Sequence, residues 1–392
     1  MTPTPAEDTA ALEKVTQTTQ ARHTIPTPVL VRGTGLLGTS IGLGLRAAGL
    51  EVLLSDPSPS ALAVAQDIGA GTILDSESAA ATGRQPGTVV VAAPPDVAGE
   101  EIIRALEMYP SAVVLDIASV KGAIAEQVHR AVIDQRITAS QASRYVGTHP
   151  MAGRERSGPV AARGALFTAA PWVICAEDST RPDSVAAAED LARLLGATVF
   201  TMTAAEHDDS VALISHLPQI AASLLASRLQ DTSTQALSLA GNGLRDTTRI
   251  AASDPQLWVQ ILTANAPQIA PILHGMREDL DRLITTLENP TADGSRLDVA
   301  QLISEGNRGQ ARIPGKHGAP PQAFSVVTVL VDDTPGQIVA VLTDVAEAGI
   351  NVEDLRLDHS AGYEVGMLEM SVVPGRKEKL VEELTNRGWK VV

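Results

Sequence analysis

Short apolar runs alternate with segments of helical periodicity through the first half of the chain. The apolar runs predict strands, which fall at residues 29–31, 51–55, 89–93, 112–117, 145–147, 172–176 and 198–202. The periodic segments predict helices between them, which fall at residues 40–48, 98–108 and 184–195. Such alternation is typical of a parallel sheet covered by helices on both faces. The pattern therefore predicts an α/β fold with an N-terminal Rossmann doubly wound sheet over residues 29–203, whose ligand crevice lies at the carboxyl ends of the strands.

The pattern changes after residue 203. Residues 204–288 have helical periodicity without a strand-like run, which predicts an all-helical domain. Within it, residues 210–227 and 255–276 carry no formal charge over about the length of a transmembrane helix. Both segments contain Gln, His and Pro, so we interpret them as helices buried inside protein at a subunit interface.

The two ends of the chain differ from its centre. Residues 289–323 mix Gly, Pro and basic residues, which predicts a linker. Residues 324–392 show strands and helices in the order β-α-β-β-α-β, which is the ferredoxin-like pattern. Residues 1–28 are rich in Thr, Pro and Ala without an apolar core or a basic start, so we expect a disordered tail and not a signal peptide.

A glycine motif, Gly-Thr-Gly-Leu-Leu-Gly at residues 33–38, lies between the first predicted strand and its helix. Its glycines permit a tight turn, a close approach of the backbone to a pyrophosphate, and close packing of helix on strand. Asp56 ends the second strand, where a carboxylate accepts hydrogen bonds from the adenosine ribose and repels a 2′-phosphate. The spacing predicts NAD rather than NADP, against the alternatives of a plain tight turn and of Asp56 as a helix N-cap. The predicted cofactor-binding residues are Gly33, Gly35, Leu36, Leu37, Gly38, Asp56, Ala93 and Pro94.

Charge and cysteine content narrow the class of protein. The 392-residue chain has a formal net charge of −16, which argues against nucleic-acid or anionic membrane partners. Cys175 is the only cysteine, so an intrachain disulfide and a cysteine metal site are both excluded. Because Cys175 lies in a predicted strand, we expect a buried, inert thiol. These features favour a cytoplasmic protein without a metal site.

Two histidines and two arginines are candidates for chemistry. His149 follows a predicted strand in a loop, where a neutral imidazole is available as a base near pH 7; the alternative is a histidine that only caps the loop. His216 lies on a mostly apolar helix, where a satisfied core histidine is the ordinary interpretation. Arg245 and Arg249 share one helix face and suit a dicarboxylate, although nearby aspartates allow simple surface pairs.

Several motifs together resemble the prephenate dehydrogenase family of tyrosine biosynthesis. They are the glycine motif, Ser-Val-Lys at 119–121, Gly-Thr-His-Pro-Met-Ala-Gly at 147–153, Ser-His-Leu-Pro at 215–218, Thr-Arg-Ile-Ala at 248–251, Ser-Asp-Pro at 253–255 and Trp258. The C-terminal unit resembles an ACT regulatory domain through residues 333–336 and 349–352. The resemblance extends over about residues 28–392.

This resemblance implies NAD-dependent oxidative decarboxylation of prephenate to 4-hydroxyphenylpyruvate. By the matching positions, His149 is the partner of the substrate hydroxyl, assisted by Ser119, and Arg249 holds a substrate carboxylate. Glu155 and His216 match polar groups that line the substrate site. Arg154 departs from the small polar residue usual in the family, which leaves the roles near Glu155 open.

The resemblance also implies a homodimer and an effector site. Family members dimerise through their helical domains, and Trp258 and the turn ending at Arg245 match a region that reaches the site from a second subunit. The ACT resemblance implies an amino-acid effector, and tyrosine is the end product. Backbone N–H groups of the predicted turn could meet its α-carboxylate, whereas the alternative is a turn that only caps the helix. The predicted effector residues are Asp333, Thr334, Pro335, Gly336 and Asn351.

Three other functions compete with this interpretation. Arogenate dehydrogenase is the closest, although the imidazole of His216 suits a keto group better than an ammonium group. A regulator that senses nucleotides and amino acids is a different class, and the acidic net charge and the absence of a basic helix-turn-helix pattern count against it. A β-hydroxyacid dehydrogenase usually has a lysine base in its helical domain, and we can assign no such lysine here.

Overall fold

A computed structural model describes residues 24–74, 85–153, 158–314, 324–359 and 365–392. Contacts between residues divide the chain into two units. The first unit comprises Met1–Leu225 and Ile250–His274, and the second comprises Ala226–Arg249 and Gly275–Val392.

An eight-stranded sheet forms the centre of the first unit. Its strands are β1 Val29–Arg32, β2 Val52–Ser55, β3 Thr72–Ile73, β4 Thr88–Val91, β5 Val113–Asp116, β6 Tyr145–Pro150, β7 Pro171–Cys175 and β8 Thr198–Thr201. They lie in the order β3-β2-β1-β4-β5-β6-β7-β8, and every neighbouring pair is parallel except β6 with β7. The 3-2-1-4-5-6 order within this sheet is that of a dinucleotide-binding fold, which confirms the predicted doubly wound architecture.

Helices cover the sheet on both faces. They are α1 Leu36–Ala47, α2 Pro59–Asp67, α3 Pro95–Met108, α4 Gly122–Ile133, α5 Ala139–Ala142 and α6 Pro182–Leu194. Successive residues of a strand belong to two separate apolar clusters, because their side chains alternate between the two faces of the sheet. In β1, Val29 and Val31 join one cluster while Leu30 joins the other, and all three are fully buried. Burial of both faces explains why the strands are continuous apolar runs in the sequence.

Helices follow without a strand through residues 204–310, all of which the structure describes. They are α7 Ala204–Val211, a π-helical turn Ala212–His216, α8 Leu217–Ser227, α9 Thr234–Leu237, α10 Asn242–Thr248, a 3-10 turn Arg249–Ala251, α11 Pro255–Ala264, α12 Ala266–Glu288 and α13 Ser295–Gln310. The segment proposed as a linker, residues 289–323, therefore contains a helix of 16 residues, Ser295–Gln310.

One described helical run, Ala204–Ser227, is apolar and long enough to cross a membrane on length and composition alone. It contains 24 residues, and its mean hydropathy is 1.3 over an 18-residue window. However, His207, Asp208 and His216 of this run are buried and hydrogen-bonded inside the first unit. Partnered polar groups of this kind are typical of a core helix in a globular domain.

The C-terminal part of the second unit is a four-stranded antiparallel sheet with two helices. Its elements are β9 Ser325–Asp332, α14 Gln337–Glu347, β10 Asp354–His359, β11 Val365–Val372, α15 Lys377–Asn386 and β12 Lys390–Val391. The strand order β10-β11-β9-β12 confirms the predicted ferredoxin-like βαββαβ fold. Asn351, one of the predicted effector residues, precedes β10, which begins only at Asp354.

Candidate active site

The glycine motif forms the turn between β1 and α1. Gly33 has φ +107°, and a Cβ atom there would lie 2.3 Å from the carbonyl oxygen of Ala92. A Cβ atom on Gly38 would lie 2.0 Å from the carbonyl oxygen of Gly33, so both positions require glycine for packing. At Gly35 a Cβ atom would meet no other described atom within 4 Å. This open side lies at the N-terminus of α1, which has no side-chain cap and no acid in its first turn, and these features suit a bound pyrophosphate.

Asp56 is hydrogen-bonded to the glycine turn. Its Oδ2 accepts from the Thr34 backbone N–H at 2.5 Å and from the Thr34 hydroxyl at 2.9 Å. Its Oδ1 accepts from the backbone N–H of Ser58 at 2.7 Å. Ser58, not Asp56, is the N-cap of α2, so the alternative role considered for Asp56 is wrong. A carboxylate has lone pairs beyond these three contacts, and they remain for a ribose hydroxyl.

Ala93 and Pro94 lie in the next turn along the sheet edge, between β4 and α3. Pro94 is the N-cap residue of α3 and is exposed, whereas Ala93 packs partly against the apolar cluster. Leu36 and Leu37 open α1 and are half-buried. The predicted cofactor residues thus lie on the β1, β2 and β4 turns at the carboxyl ends of adjacent strands.

His149 lies in a strand and not in a loop, which corrects the sequence expectation. The register pairs β6 with β5 only as far as Leu115 and Val146. Beyond that point β6 continues antiparallel to β7, where His149 is opposite Val173. The strand therefore carries His149 three residues past its last partner in β5, at the carboxyl edge of the parallel sheet. Its side chain is half-buried.

A line of hydrogen bonds runs inward from His149. Its Nδ1 lies 2.8 Å from Nε2 of His207, and Nδ1 of His207 lies 2.8 Å from Oδ1 of Asp208. The carboxylate can only accept, so the His207 Nδ1 carries a proton, which leaves its Nε2 as the acceptor. In the contact between the two histidines, Nδ1 of His149 is therefore assigned as the donor. A neutral His149 then has no hydrogen on Nε2, which is left as an acceptor.

Asp208 also fixes the loop that follows β5. Its two oxygens accept the backbone N–H groups of Lys121 at 2.9 Å and Gly122 at 2.8 Å. Burial raises the pKa of Asp208, but the hydrogen bonds from His207 and from these two N–H groups outweigh it, and the pKa is lowered. Ser119 is half-buried in the same loop, two residues before Lys121.

A second buried network supports the strand that carries His149. The Lys121 ammonium forms an ion pair with Asp116 and donates to the Thr148 carbonyl oxygen at 2.7 Å. The Tyr145 hydroxyl donates to Asp116 at 2.7 Å, and the Thr148 hydroxyl donates to the Asp116 carbonyl oxygen at 2.5 Å. Lys121 and Asp116 are 1% and 0% exposed, so this charge pair is shielded from water and depends on its partners.

Burial keeps both candidate histidines neutral. It lowers the pKa of His149 well below its usual value, and the neighbouring His207, Lys121 and His216 lower it further. Burial also lowers the pKa of His216 to about 4. Nδ1 of His216 lies 3.1 Å from the Asn265 amide nitrogen, which donates, so the Nε2 of His216 bears the hydrogen. His149 therefore offers an acceptor and His216 a donor.

Trp258 lies beside His216. The two rings meet edge-to-face with centroids 6.0 Å apart and an interplanar angle of 84°. Cys175 is buried, and burial raises the pKa of its thiol to about 12, which confirms the expected inert cysteine. In the described ranges, no group of three or more His, Cys, Asp or Glu side chains is arranged to hold a metal ion.

Only some of the remaining predicted residues belong to the described part of the chain. Arg245 in α10 and Arg249 after it are exposed and belong to the second unit. Arg154 and Glu155 lie outside the described residues. In the second unit, residues 333–336 form an exposed turn between β9 and α14, with Gly336 at φ +93°. Asn351 donates to Glu353 at 2.7 Å.

Sequence reasoning missed His207, Asp208 and Asn265. Each contacts residues far away in the chain, so spacing gives no hint of the contact. The available signal was their polarity within an otherwise apolar helical region, because buried polar groups require partners.

Two domain families match the chain. The family model described as "Prephenate dehydrogenase, nucleotide-binding domain" matches residues 41–201, and "Prephenate dehydrogenase, dimerization domain" matches residues 203–301. The protein named "Probable prephenate dehydrogenase NovF" from Streptomyces niveus is 33% identical over 370 residues, which cover 92% of this chain and 98% of that protein.

Solved structures share the fold. The Synechocystis arogenate dehydrogenase structure is 27% identical with a TM-score of 0.57, and the match covers 72% of this chain and 99% of that one. The structure of prephenate dehydrogenase from A. aeolicus in complex with hydroxyphenyl propionate and NAD+ is 24% identical with a TM-score of 0.61, covering 71% of this chain and 97% of that one.

Proposed function

The chain belongs to the prephenate dehydrogenase family, and from this premise we propose that it converts prephenate to 4-hydroxyphenylpyruvate with NAD. The observation that carries the proposal is the neutral His149, whose free acceptor nitrogen lies at the carboxyl edge of a dinucleotide-binding sheet. Oxidation of a secondary ring alcohol by hydride loss needs a base at this position.

The cofactor is held by the turns of β1, β2 and β4. The open side of Gly35 and the N-terminus of α1 take the pyrophosphate, and Asp56 accepts from the adenosine ribose. NAD is the partner named in the A. aeolicus complex, and this chain has the carboxylate that favours it over NADP. When bound, NAD supplies the hydride acceptor.

The chain's own groups move the proton. Nε2 of His149 accepts the proton of the C4 hydroxyl as the C4 hydride leaves, and Ser119 assists in positioning that hydroxyl. The C4–O bond gains double-bond character, and loss of the ring carboxylate as carbon dioxide returns an electron pair to the ring. The oxygen then regains a proton, which gives the phenol. Aromatisation makes the overall step effectively irreversible.

Other residues recognise the substrate. The Nε2–H of His216 donates to the keto group of the pyruvyl side chain, with Trp258 beside it. Arg249 holds a carboxylate, and Glu155 and Arg245 contribute further polar contacts. Arg245 and Trp258 take part across a homodimer formed by the helices from α7 to α12, which expose Leu213, Ile214 and Val259.

The substrate is tested by following NADH formation with prephenate and with arogenate under the same conditions. We expect a higher kcat/KM with prephenate, because a donor at His216 matches a keto oxygen and not an ammonium group. A preference for arogenate would contradict this, and the Synechocystis relative makes it the second candidate. Light scattering on the purified protein tests the dimer.

Two finer points complete the proposal. We expect the enzyme to be cytoplasmic, as a soluble biosynthetic enzyme with a net charge of −16. We expect the C-terminal unit to bind an amino acid, with tyrosine as the end product, through Asp333, Thr334, Pro335, Gly336 and Asn351.

A further inference from the structure

We propose that His207 and Asp208 are positioning residues that fix which nitrogen of His149 accepts the substrate proton and stabilise the charge that forms there. The kinetic part of this inference rests on the proposed function. The structural part, the tautomer of His149, stands on the hydrogen bonds alone.

The exposed fractions of His149, His207 and Asp208 show which end of this hydrogen-bonded series faces the solvent. His207 is 0% exposed and Asp208 is 5% exposed, whereas His149 at the other end is half-buried. The open end is therefore His149, and the charged end is sealed inside the protein. Because Asp208 is ionised and accepts at Oδ1, the protons on the two Nδ1 atoms both point inward, towards the carboxylate. An imidazole held in this way has one free lone pair, at Nε2 of His149.

The same line stabilises the product of proton transfer. When Nε2 of His149 gains the substrate proton, the ring becomes cationic and its Nδ1–H bond to His207 strengthens. The anion of Asp208 then faces the new cation across the imidazole of His207, and Asp208 stays ionised throughout. Because Asp208 takes no proton from His207, the proton that Nε2 of His149 has gained stays on that ring. It is then available to return to the product oxygen.

No other carboxylate is hydrogen-bonded to either imidazole in the part of the chain that the structure describes. Asp116 on β5 is already paired with Lys121, and the hydroxyl of Tyr145 on β6 is bonded to Asp116. Besides His207, the titratable groups that act on the His149 ring are His216, at the end of the π turn, and the ammonium group of Lys121.

A purely structural role must be separated from this one, because Asp208 also binds the backbone of Lys121 and Gly122. Two substitutions at His207 make the separation. In His207→Gln, the amide oxygen can still accept from Nδ1 of His149. In His207→Leu, a side chain of similar volume offers no acceptor. A structural role predicts similar activities for the two variants when both are folded, whereas positioning predicts that glutamine rescues.

We expect His207→Leu and Asp208→Asn to lower kcat by about 10²- to 10³-fold with KM changed by less than about threefold, since the interaction strengthens only in the transition state. His207→Gln should recover at least about tenfold of the loss. Asp209→Asn is the matched control, because Asp209 is the exposed neighbour on the same helix, and it should behave as the wild type. Equal losses for the leucine and glutamine variants would overturn the proposal.

Nuclear magnetic resonance of protein labelled at its histidine ring nitrogens gives a readout that needs no turnover. The His149 signals, assigned by their loss in His149→Asn, should show a hydrogen on Nδ1 and none on Nε2 at pH 7. In His207→Leu the two tautomers should mix. A wild-type His149 with its hydrogen on Nε2 would refute the inference even in an active enzyme. Conversely, the expected tautomer in a protein that oxidises neither prephenate nor arogenate would refute only the proposed function.

Discussion

The surroundings of His149 and the turn at residues 333–336 are both proposed to bind small anionic molecules, yet they are built differently. Around His149, the side chains of Lys121, His207 and Asp208 are buried, and hydrogen bonds join them to one another, to His149 and to the Thr148 backbone. The turn before α14 is exposed along its whole length, and its shape comes from the backbone, with Gly336 at φ +93°. One region is organised before any ligand arrives, and the other only offers N–H groups at a helix start.

This difference separates catalysis from regulation. A preorganised network stabilises developing charge without reorganising, so its loss reduces the rate of the chemical step. An exposed turn has little such organisation, so its ligand must gain affinity from further contacts, such as a second copy of the domain. Changes near His149 should therefore alter kcat, whereas changes in the turn should alter only the response to an effector.

The largest effect is expected from His149→Asn. The amide keeps the approximate size and one hydrogen-bonding function but cannot act as a base, so kcat should fall by about two or more orders of magnitude. Calorimetric titration with NAD should give an unchanged affinity. Near-normal turnover in a folded variant would show that His149 is not the base. The buried surroundings of His149 would then have no catalytic role to distinguish them from the turn at residues 333–336.

Arg249→Ala should come next and should change KM rather than kcat. Loss of a guanidinium that binds a substrate carboxylate is expected to raise KM by about 30- to 1,000-fold, the equivalent of about 2 to 4 kcal/mol. Steady-state kinetics with prephenate measure the change, and Arg312→Ala serves as the control at an exposed arginine of the second unit. An unchanged KM would mean that Arg249 has only a structural role.

Asp56 should control the choice of cofactor. The wild type is expected to prefer NAD over NADP in kcat/KM by about 10-fold or more, and Asp56→Ser should lower that preference, because a serine does not repel a 2′-phosphate. Comparing both cofactors at saturating prephenate tests this. The three hydrogen bonds of Asp56 also support the glycine turn, so the melting temperature of the variant must be measured alongside. Equal use of both cofactors by the wild type would contradict the assignment.

Deletion of residues 320–392 should leave activity but abolish any response to tyrosine. A coupling of about 1 to 3 kcal/mol corresponds to about a 5- to 150-fold change in affinity, which full-length enzyme should show at millimolar tyrosine. If the full-length enzyme neither binds tyrosine by calorimetry nor changes its kinetics, the effector is another ligand, or the unit has none.

The smallest effect concerns pH. Burial lowers the pKa of His149, so its neutral, proton-accepting form persists below the usual histidine pKa of about 6.5. The acid limb of kcat/KM should therefore lie below pH 6.5, with activity lost only as pH falls through the lowered value. An acid limb centred at or above pH 6.5 in the wild type would show that the pocket does not desolvate the imidazole.

The fold was more predictable than the site. Apolar runs and glycines gave the doubly wound sheet and the ferredoxin-like unit, because both depend on local periodicity. His149 was found from its neighbours, but its place in a strand was not, since β6 extends only by pairing with β7. The network behind it joins residues 58 positions apart, from His149 to His207, and no local pattern encodes such a contact.

The π-helical turn Ala212–His216 limits which insertions and deletions the helical run Ala204–Ser227 can tolerate. An α turn takes about 3.6 residues and a π turn about one more, so the eight positions from Asp208 to His216 span about one turn of each and end in phase. Asn265 contacts both ends of that span, through the Asp208 carbonyl oxygen and Nδ1 of His216. One more α-helical residue inserted between them would rotate Asp208 and His216 by about 100° relative to each other. The length of this segment is therefore under a constraint separate from the identity of its residues.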